Sequence, residues 1–251
     1  WDFFEKFVVA EDNWLPPDNF QESPCSVIAH RTSPTNLGLA LLANLSAYDF
    51  GYIPLTALLT RTENAFLTMS RLERHQGHFY NWYDTQTLQP LPPRYISAVD
   101  SGNLAGHLLT LRMGLLAVAD QPIVSDRLFV GLSDTLTVLA DFLPENRPVA
   151  FTRLEILLTE SCVRPPMTLV KTGLALDDLC EYARALVEEL PVDVTVAGKE
   201  WANNLLRQCQ VAQEELAFLV PWLDMAVASP ELAACAELDH IPTLNELSRL
   251  A

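Results

Sequence analysis

Aromatic and polar side chains gathered near residue 80 offer the clearest opportunity for ligand chemistry in this sequence. Pyranose rings expose C–H faces that stack on aromatic planes, and their hydroxyls need hydrogen-bonding partners such as carboxylates and amides. The planes could come from Tyr80, Trp82 and Tyr83, and the hydrogen bonds from His78, Asn81 and Asp84. These residue types favour a sugar-binding site. One alternative stays open, in which the aromatics belong to the core and Asp84 to a turn.

Asp100 and Asn103 form a second candidate group, at the start of a predicted helix. The Asp100 carboxylate can accept from backbone N–H groups two and three residues further on, which would make it the helix cap. Capping and ligand binding are compatible, because a cap fixes the position of its carboxylate. Both residues are therefore candidate substrate contacts.

Arg31 and Asn36 lie close to another predicted helix start, after the proline-rich segment Trp14–Glu22. Free N–H groups at a helix start favour anions or hydroxyl oxygens. Arg31 and Asn36 are therefore candidate substrate contacts as well. The structural alternative is that Thr32 or Ser33 simply caps the helix.

Apolar side chains at helical spacing predict helices along most of the chain. Ser33-Pro34 begins one helix, which Gly51 ends, and Pro54 begins the next, which ends at Gly77. The further predicted helices cover residues 101–119, 125–142, 150–161, 172–190, 198–219, 230–238 and 243–250. About nine helices indicate an all-α fold.

Residues 78–95 break this helical pattern. Aromatic side chains that favour strands alternate there with polar ones, and Pro90, Pro92 and Pro93 exclude a long partner strand. The segment therefore predicts a short aromatic-rich β-ribbon or an ordered loop between two helices. The first 100 residues hold 15 of the 22 aromatic residues, so the candidate site falls in the aromatic part of the chain.

Charge and cysteine usage exclude several classes of function. The 251 residues carry 16 basic and 32 acidic side chains, a net charge of −16, so no cationic surface for nucleic acid or for an anionic membrane is expected. The longest charge-free stretch, Thr32–Tyr48, is rich in polar residues and does not predict a membrane span. The five cysteines form no CxxC pair, so we expect no metal site, and we expect no cofactor.

Several longer blocks of the sequence resemble the central region of bacterial cyclic β-1,2-glucan synthases. The blocks are WLPPDNFQE, HRTSPTNLGL, DFGYI, LERHQGHFYNWYDT, LQPLPPRYISAVDSGNLAGHL and WANNLLRQCQVAQEELAFLVPWL. The resemblance extends over nearly the whole chain and is strongest within residues 11–111. It implies a glycoamylase-like domain that cyclises a linear β-1,2-glucan by transglycosylation. It also implies an (α/α)6 toroid, and a location on the cytoplasmic side of the bacterial inner membrane as a soluble part of a larger membrane protein.

The family pattern is incomplete in this chain. In the family, the two catalytic glutamates lie in Phe-Glu-Tyr-Leu and Ser-Glu-Ser motifs, and neither motif occurs here. The resemblance therefore implies the amino-terminal half of the domain, a fragment without catalytic residues that is inactive when isolated. The first residue, Trp1, also favours a piece of a longer polypeptide. About nine helices are fewer than the twelve of a closed toroid, so we expect a partial, toroid-like helical array.

Two functions follow as alternatives. In the first, a single helical domain of residues 1–251 binds a β-1,2-glucan chain through residues 1–111, and the acidic residues 112–251 form a helical scaffold. In the second, the chain is a non-catalytic scaffold that docks the other domains of the same polypeptide. Helix faces left uncovered by an incomplete toroid would also favour self-association.

Overall fold

Helices dominate the computed structural model, which describes residues 1–223 and 239–249. In this part of the chain nine α-helices accompany six two-residue strands, so the predicted all-α class with short strands is confirmed. The helices are α1 Asp2–Phe7, α2 Pro34–Asp49, α3 Leu55–Arg71, α4 Ala98–Val118, α5 Arg127–Ala140, α6 Val149–Val163, α7 Leu169–Glu189, α8 Val196–Leu219 and α9 Leu244–Leu247. The helix predicted over 230–238 lies outside the described residues. The toroid-like arrangement stays a prediction.

The chain forms two compact units. Unit 1 consists of Trp1–Tyr48 and Thr56–Val118, and unit 2 consists of Asp49–Leu55 and the described residues from Ala119 onward. The boundary that the sequence suggested between residues 111 and 112 falls inside α4, whose helical pattern continues unbroken to Val118.

Unit 2 contains the helices α5–α8 and is organised by apolar packing. The inward-facing positions of α5 and α6 recur every three or four residues, which gives each helix one buried stripe. Leu132, Leu154 and Leu205 are completely buried in this core, and Cys180 and Cys209 of α7 and α8 pack among them. Burial of apolar surface therefore accounts for how these helices associate.

In unit 1, helices α2 and α4 pack at very close range. A Cβ at Gly38 would collide with the ring of His107, and one at Gly114 would collide with the side chain of Leu45. Thr35, at the start of α2, donates a hydrogen bond to Asp100, at the start of α4. The two helices therefore run in the same direction and bring their amino-terminal ends together.

Six short strands pair as three antiparallel ribbons, where the sequence predicted one ribbon. The strands are β1 Phe20–Gln21, β2 Val27–Ile28, β3 Arg31–Thr32, β4 Arg74–His75, β5 His78–Phe79 and β6 Tyr83–Asp84. They pair as β1–β2, β3–β6 and β4–β5. The single predicted segment thus supplies β5 and β6, and each finds its partner strand outside it.

Helix α3 ends at Arg71, earlier than the predicted end at Gly77. The β4–β5 hairpin occupies the intervening residues, and its turn places Gln76 at φ 51° and Gly77 at φ 86°. Two consecutive residues with positive φ form the tight turn that matches the twist of a hairpin. Gly77 therefore closes a hairpin and does not cap a helix.

None of the helices in the described part of the chain is long and apolar enough to cross a bilayer.

Candidate functional site

The β3–β6 ribbon separates residues of the candidate site from residues of the core. Arg31 pairs with Asp84 and Thr32 with Tyr83, and directly paired residues of antiparallel strands point to the same face. Thr32 and Tyr83 are completely buried, whereas Arg31 is exposed and Asp84 partly exposed. The outer face of this ribbon therefore presents Arg31 and Asp84.

A buried carboxylate holds the two strands together from the inner side. Oδ1 of Asp12, a residue only 6% exposed, lies 2.7 Å from Nδ1 of His30 and accepts a 2.5 Å hydrogen bond from the Thr85 hydroxyl. Asn13 Nδ2 donates to the Thr85 carbonyl at 2.8 Å. Since His30 precedes β3 and Thr85 follows β6, Asp12 fixes both strands at the points next to Arg31 and Asp84.

Trp82 is covered on one side by an arginine that is itself held in place. The Arg31 guanidinium carbon lies 4.8 Å from the centre of the Trp82 ring, within the range of a cation–π contact. Arg31 Nε and Nη2 donate to Asp18 Oδ2 at 3.1 and 2.8 Å, and Asn36 Nδ2 donates to Asp18 Oδ1 at 3.2 Å. Asp18 therefore anchors the arginine against the indole and connects both to α2.

Asn81 connects Trp82 to Asp100. With its amide nitrogen toward Asp100, Asn81 donates to Asp100 Oδ2 at 2.9 Å and accepts from Trp82 Nε1 at 2.8 Å and from the Tyr95 hydroxyl at 2.7 Å. This is the amide orientation that gives every one of these groups a partner. The indole and the carboxylate are thus joined through one buried amide.

Thr35 and Asn103 complete the arrangement. The Thr35 hydroxyl donates to Asp100 Oδ1 at 2.6 Å and accepts from Asn103 Nδ2 at 3.1 Å. Because Thr35 and Asn36 are neighbours in α2, the contacts form a closed circuit, which we call the Trp82 network. Its members are Asp18, Arg31, Thr35, Asn36, Asn81, Trp82, Asp100 and Asn103.

The predicted capping role of Asp100 is wrong. Helix α4 begins at Ala98, and the Ser97 hydroxyl oxygen accepts from the Asp100 backbone N–H at 3.1 Å, so Ser97 is the cap. Burial pushes the pKa of Asp100 upward, but hydrogen bonds from Ser97 and Thr35 outweigh it and hold the pKa below its ordinary value. Asp100 is therefore an ionised acceptor at neutral pH, with its carboxylate directed into the Trp82 network.

Asp84 adopts the turn role that the sequence left open. Its Oδ1 accepts from the backbone N–H groups of Gln86 and Thr87, at 3.0 and 2.7 Å, and from the Thr87 hydroxyl at 3.0 Å. Burial alone would raise the pKa of Asp84, but the hydrogen bonds from Thr87 and Gln86 lower it below its ordinary value. The carboxylate is thus ionised and shapes the turn after β6, and it remains partly exposed beside Arg31.

Tyr83 is a core residue, so its predicted role as a stacking surface is wrong. The side chain is completely buried, and its hydroxyl donates to the Glu73 carbonyl and accepts from the Tyr80 N–H, both at 2.7 Å. Burial is the main cause that raises the pKa of Tyr83 to about 12. In this case the core alternative for the aromatics holds.

His78 and Tyr80 have their contacts around the β4–β5 hairpin. The exposed His78 pairs with His75, and the half-buried Tyr80 ring lies 6.5 Å from the His75 ring and 5.9 Å from the Arg94 guanidinium carbon. The structure therefore brings Arg31, Asn36, Trp82, Asp100 and Asn103 into one network, and places His78, Tyr80 and Tyr83 in other surroundings.

Sequence reasoning did not select Asp18 or Thr35, and named Asn81 only as one of several hydrogen-bonding side chains. Asp18 lies in the proline-rich segment before β1, where composition alone does not reveal a partner. Asn81 did carry a usable signal in the sequence, because it is a polar residue within an aromatic run. The structure shows that it is only 5% exposed. A polar side chain at a buried position requires hydrogen-bond partners.

An indole plane bordered by carboxylates, amides and a guanidinium has the chemistry that binds a hydroxyl-rich ring. Within residues 1–223 and 239–249, no group of three or more His, Cys, Asp or Glu side chains could hold a metal ion.

Sequence comparison finds a similarity to a protein named as a glucan synthase. No family model matches it. A curated relative that does match is the cyclic β-(1,2)-glucan synthase NdvB of Rhizobium meliloti strain 1021, with 54% identity over 111 residues. The match covers 44% of this chain and 4% of the length of NdvB. The chain is therefore related to that synthase, which confirms the resemblance to cyclic β-1,2-glucan synthases. The extent of the resemblance over nearly the whole chain stays a prediction.

Proposed function

We propose that unit 1 binds a β-1,2-glucan chain as part of the cyclising, transglycosylating region of a cyclic β-1,2-glucan synthase. The observation that carries the proposal is the Trp82 network, in which an indole plane and the Asp100 carboxylate are connected through Asn81. In this proposal the side of the Trp82 ring opposite Arg31 stacks on a glucose ring. Asp100 accepts hydrogen bonds from the hydroxyls of that glucose, and Asn103 donates hydrogen bonds to them.

The geometry supports this proposal because the contacts leave little freedom to the groups involved. Asp18 holds the Arg31 guanidinium with two hydrogen bonds, and Arg31 in turn rests on the indole. Side chains that are already ordered lose less conformational entropy when a ligand binds. A preorganised aromatic surface suits a flexible glucan, whose own ordering is costly.

The relation to NdvB supports the choice of glucan. The name of that protein specifies a cyclic β-(1,2)-glucan, and the carry-over of its substrate to this chain is part of the proposal. The proposal also includes that this chain is part of a longer polypeptide and lies on the cytoplasmic side of the bacterial inner membrane. The remaining domains of that polypeptide, including its catalytic glutamates, would be its partners.

Titration with linear β-1,2-glucooligosaccharides tests the proposal, with tryptophan fluorescence and calorimetry as readouts. We expect saturable binding that Trp82→Ala abolishes and Trp82→Phe weakens, because phenylalanine keeps a smaller ring plane. Phe218→Ala is the matched control, since it removes a 73% exposed aromatic side chain from unit 2. Equal responses to β-1,2- and β-1,4-linked oligosaccharides would refute the linkage, and no response to any sugar would refute glucan binding.

A second candidate function, a scaffold that docks neighbouring synthase domains, is favoured by a separate observation in unit 1. Apolar side chains of helices α3 and α4 line a shallow groove, among them Phe66, Leu67 and Leu115. Phe66 and Leu67 are exposed. Large exposed apolar patches often mark protein interaction sites. This function predicts binding of an apolar dye or self-association, either of which Leu67→Gln reduces, whereas Trp82→Ala has no effect on them.

A further inference from the structure

Asn81 is a buried side chain with three polar partners on three different residues. Its oxygen accepts from Trp82 Nε1 and from the Tyr95 hydroxyl, and its nitrogen donates to Asp100 Oδ2. The residue is 5% exposed. At that depth each of these bonds excludes water as a replacement partner, so losing one leaves a buried polar group unsatisfied.

The three partners require an amide at position 81. The indole N–H must find an acceptor, whereas the Asp100 carboxylate needs a donor. An aspartate could not donate to Asp100, and a leucine of similar shape could satisfy neither side. Asparagine supplies one acceptor and one donor in a short planar group, and therefore meets both needs at once.

We infer that Asn81 is a positioning residue that fixes the ring of Trp82 relative to the carboxylate of Asp100. Asn81 is buried and does not itself contact the ligand. It acts through the two groups that it connects, and both belong to the surface that binds glucan under the proposed function. The inference rests on that function only in its consequence for sugar affinity, because the connection itself can be observed without any ligand.

The geometry provides a test in which the amide at position 81 and the carboxylate at position 100 are exchanged. Asn81→Asp places two carboxylates within 2.9 Å of each other and removes the donor, so the connection is lost. Asp100→Asn leaves one amide oxygen to serve both Thr35 and Asn81, which approach two different oxygens in the native residue. The double variant restores the connection in reverse, because the new amide at position 100 donates to the new carboxylate at position 81. Its oxygen still accepts from Thr35.

The Trp82 indole N–H signal in 15N-resolved NMR is the readout, measured on the whole chain and assigned by its absence in Trp82→Phe. We expect slow exchange with solvent in the native protein, fast exchange in each single variant, and slow exchange again in the double variant. Oligosaccharide affinity is expected to fall at least tenfold in N81D. The double variant is judged by the indole signal alone, because under the proposed function Asp100 itself contacts the glucan. Chemical unfolding of each variant separates these effects from global stability.

The possible outcomes distinguish the inference from the proposed function. An indole signal that N81D leaves unchanged, or that a folded double variant fails to restore, overturns the inference. Should N81D not fold, D100N and the double variant decide the question by the same signal. A restored signal in the double variant, together with no glucan binding by the native chain, supports the inference and refutes the proposed function. Unchanged oligosaccharide affinity in a folded N81D whose indole signal is lost overturns the role of Asn81 in binding.

Discussion

Side-chain hydrogen bonds link the members of the Trp82 network in unit 1, whereas apolar packing links α5–α8 in unit 2. In the network, Asp18, Asn81 and Asp100 each hold two or more partners at defined distances. In unit 2, Leu132, Leu154 and Leu205 are buried among other apolar side chains. Hydrogen bonds are directional and fix orientation, while hydrophobic burial is non-directional and mainly supplies stability. The difference predicts that mutations in the two regions will affect different properties.

The largest effect on stability should come from the apolar core of unit 2. Leu154→Ala removes a fully buried side chain, and we expect the free energy of unfolding to fall by about 2–5 kcal/mol. Leu174→Ala is the matched control, because Leu174 of α7 is 52% exposed and its loss should cost less than about 0.5 kcal/mol. Urea unfolding measures both values. A loss of sugar binding in folded Leu154→Ala would contradict the expectation that mutations in unit 2 affect stability and not binding.

Removing the hydrogen bond beneath the β3–β6 ribbon should cause a smaller loss of stability than Leu154→Ala, but a larger loss of oligosaccharide binding. Thr85→Val keeps the shape of a buried side chain but removes its donor to the Asp12 carboxylate, which should cost about 1.5–3 kcal/mol. It should also weaken the response to oligosaccharide, because Asp12 fixes the ribbon next to Arg31 and Asp84.

Thr85→Ser should restore most of both properties, since serine keeps the hydroxyl. Thr137→Val removes an exposed hydroxyl from α5 and serves as the control in unit 2. If Thr85→Val lowered stability and left sugar affinity unchanged, the hydrogen bonds of this region would act as structural elements only.

Two glycines of unit 1 should respond in opposite directions to the same change. Gly38→Ala forces a Cβ against the His107 ring, with the His107 Cβ only 2.8 Å away, and should destabilise the protein by about 1–3 kcal/mol. Gly102→Ala meets no atom within 4 Å and should stabilise α4 by up to about 1 kcal/mol. Thermal unfolding measures both changes. Equal effects would show that α2 and α4 do not depend on this close approach.

The smallest effect at neutral pH is expected for Tyr83→Phe, at about 1 kcal/mol for the lost hydrogen bonds. At alkaline pH the expected behaviour is distinctive. The pKa of Tyr83 is raised to about 12 in the folded protein from an ordinary value of 10.0, so the folded state keeps its proton while the unfolded state loses it. The free energy of unfolding should therefore fall as the pH rises from 10 to 12.

Tyr83→Phe should make this decline shallower, because phenylalanine has no proton to lose. Unfolding by urea at a series of pH values from 8 to 12 measures the slope. An unchanged slope in the variant would contradict the buried, protonated state of this phenol.

The sequence by itself determined most of the helical parts of the chain, although it did not predict α1 and it placed the end of α3 too late. It also selected most of the side chains that the candidate site brings together. The apolar spacing of α2 and α5–α8 identifies those helices, because each buries one stripe of its surface. The run of aromatic residues near position 80 and the polar residues at two helix starts identified Arg31, Asn36, Trp82, Asp100 and Asn103. Local residue types express these features directly.

Only the tertiary structure decided which candidates meet. The burial of Tyr83 follows from the pairing of β6 with β3, two strands separated by more than 50 positions along the chain, so no local pattern contains it. The partnership of Asp18 with Arg31 and Asn36, and that of Asn81 with Asp100, likewise join distant segments. The spacing of residues along the chain determines on which face of its own helix or strand a side chain lies. Its partners depend on how that element packs against others, and here the parallel approach of α2 and α4 brings the two helix starts together.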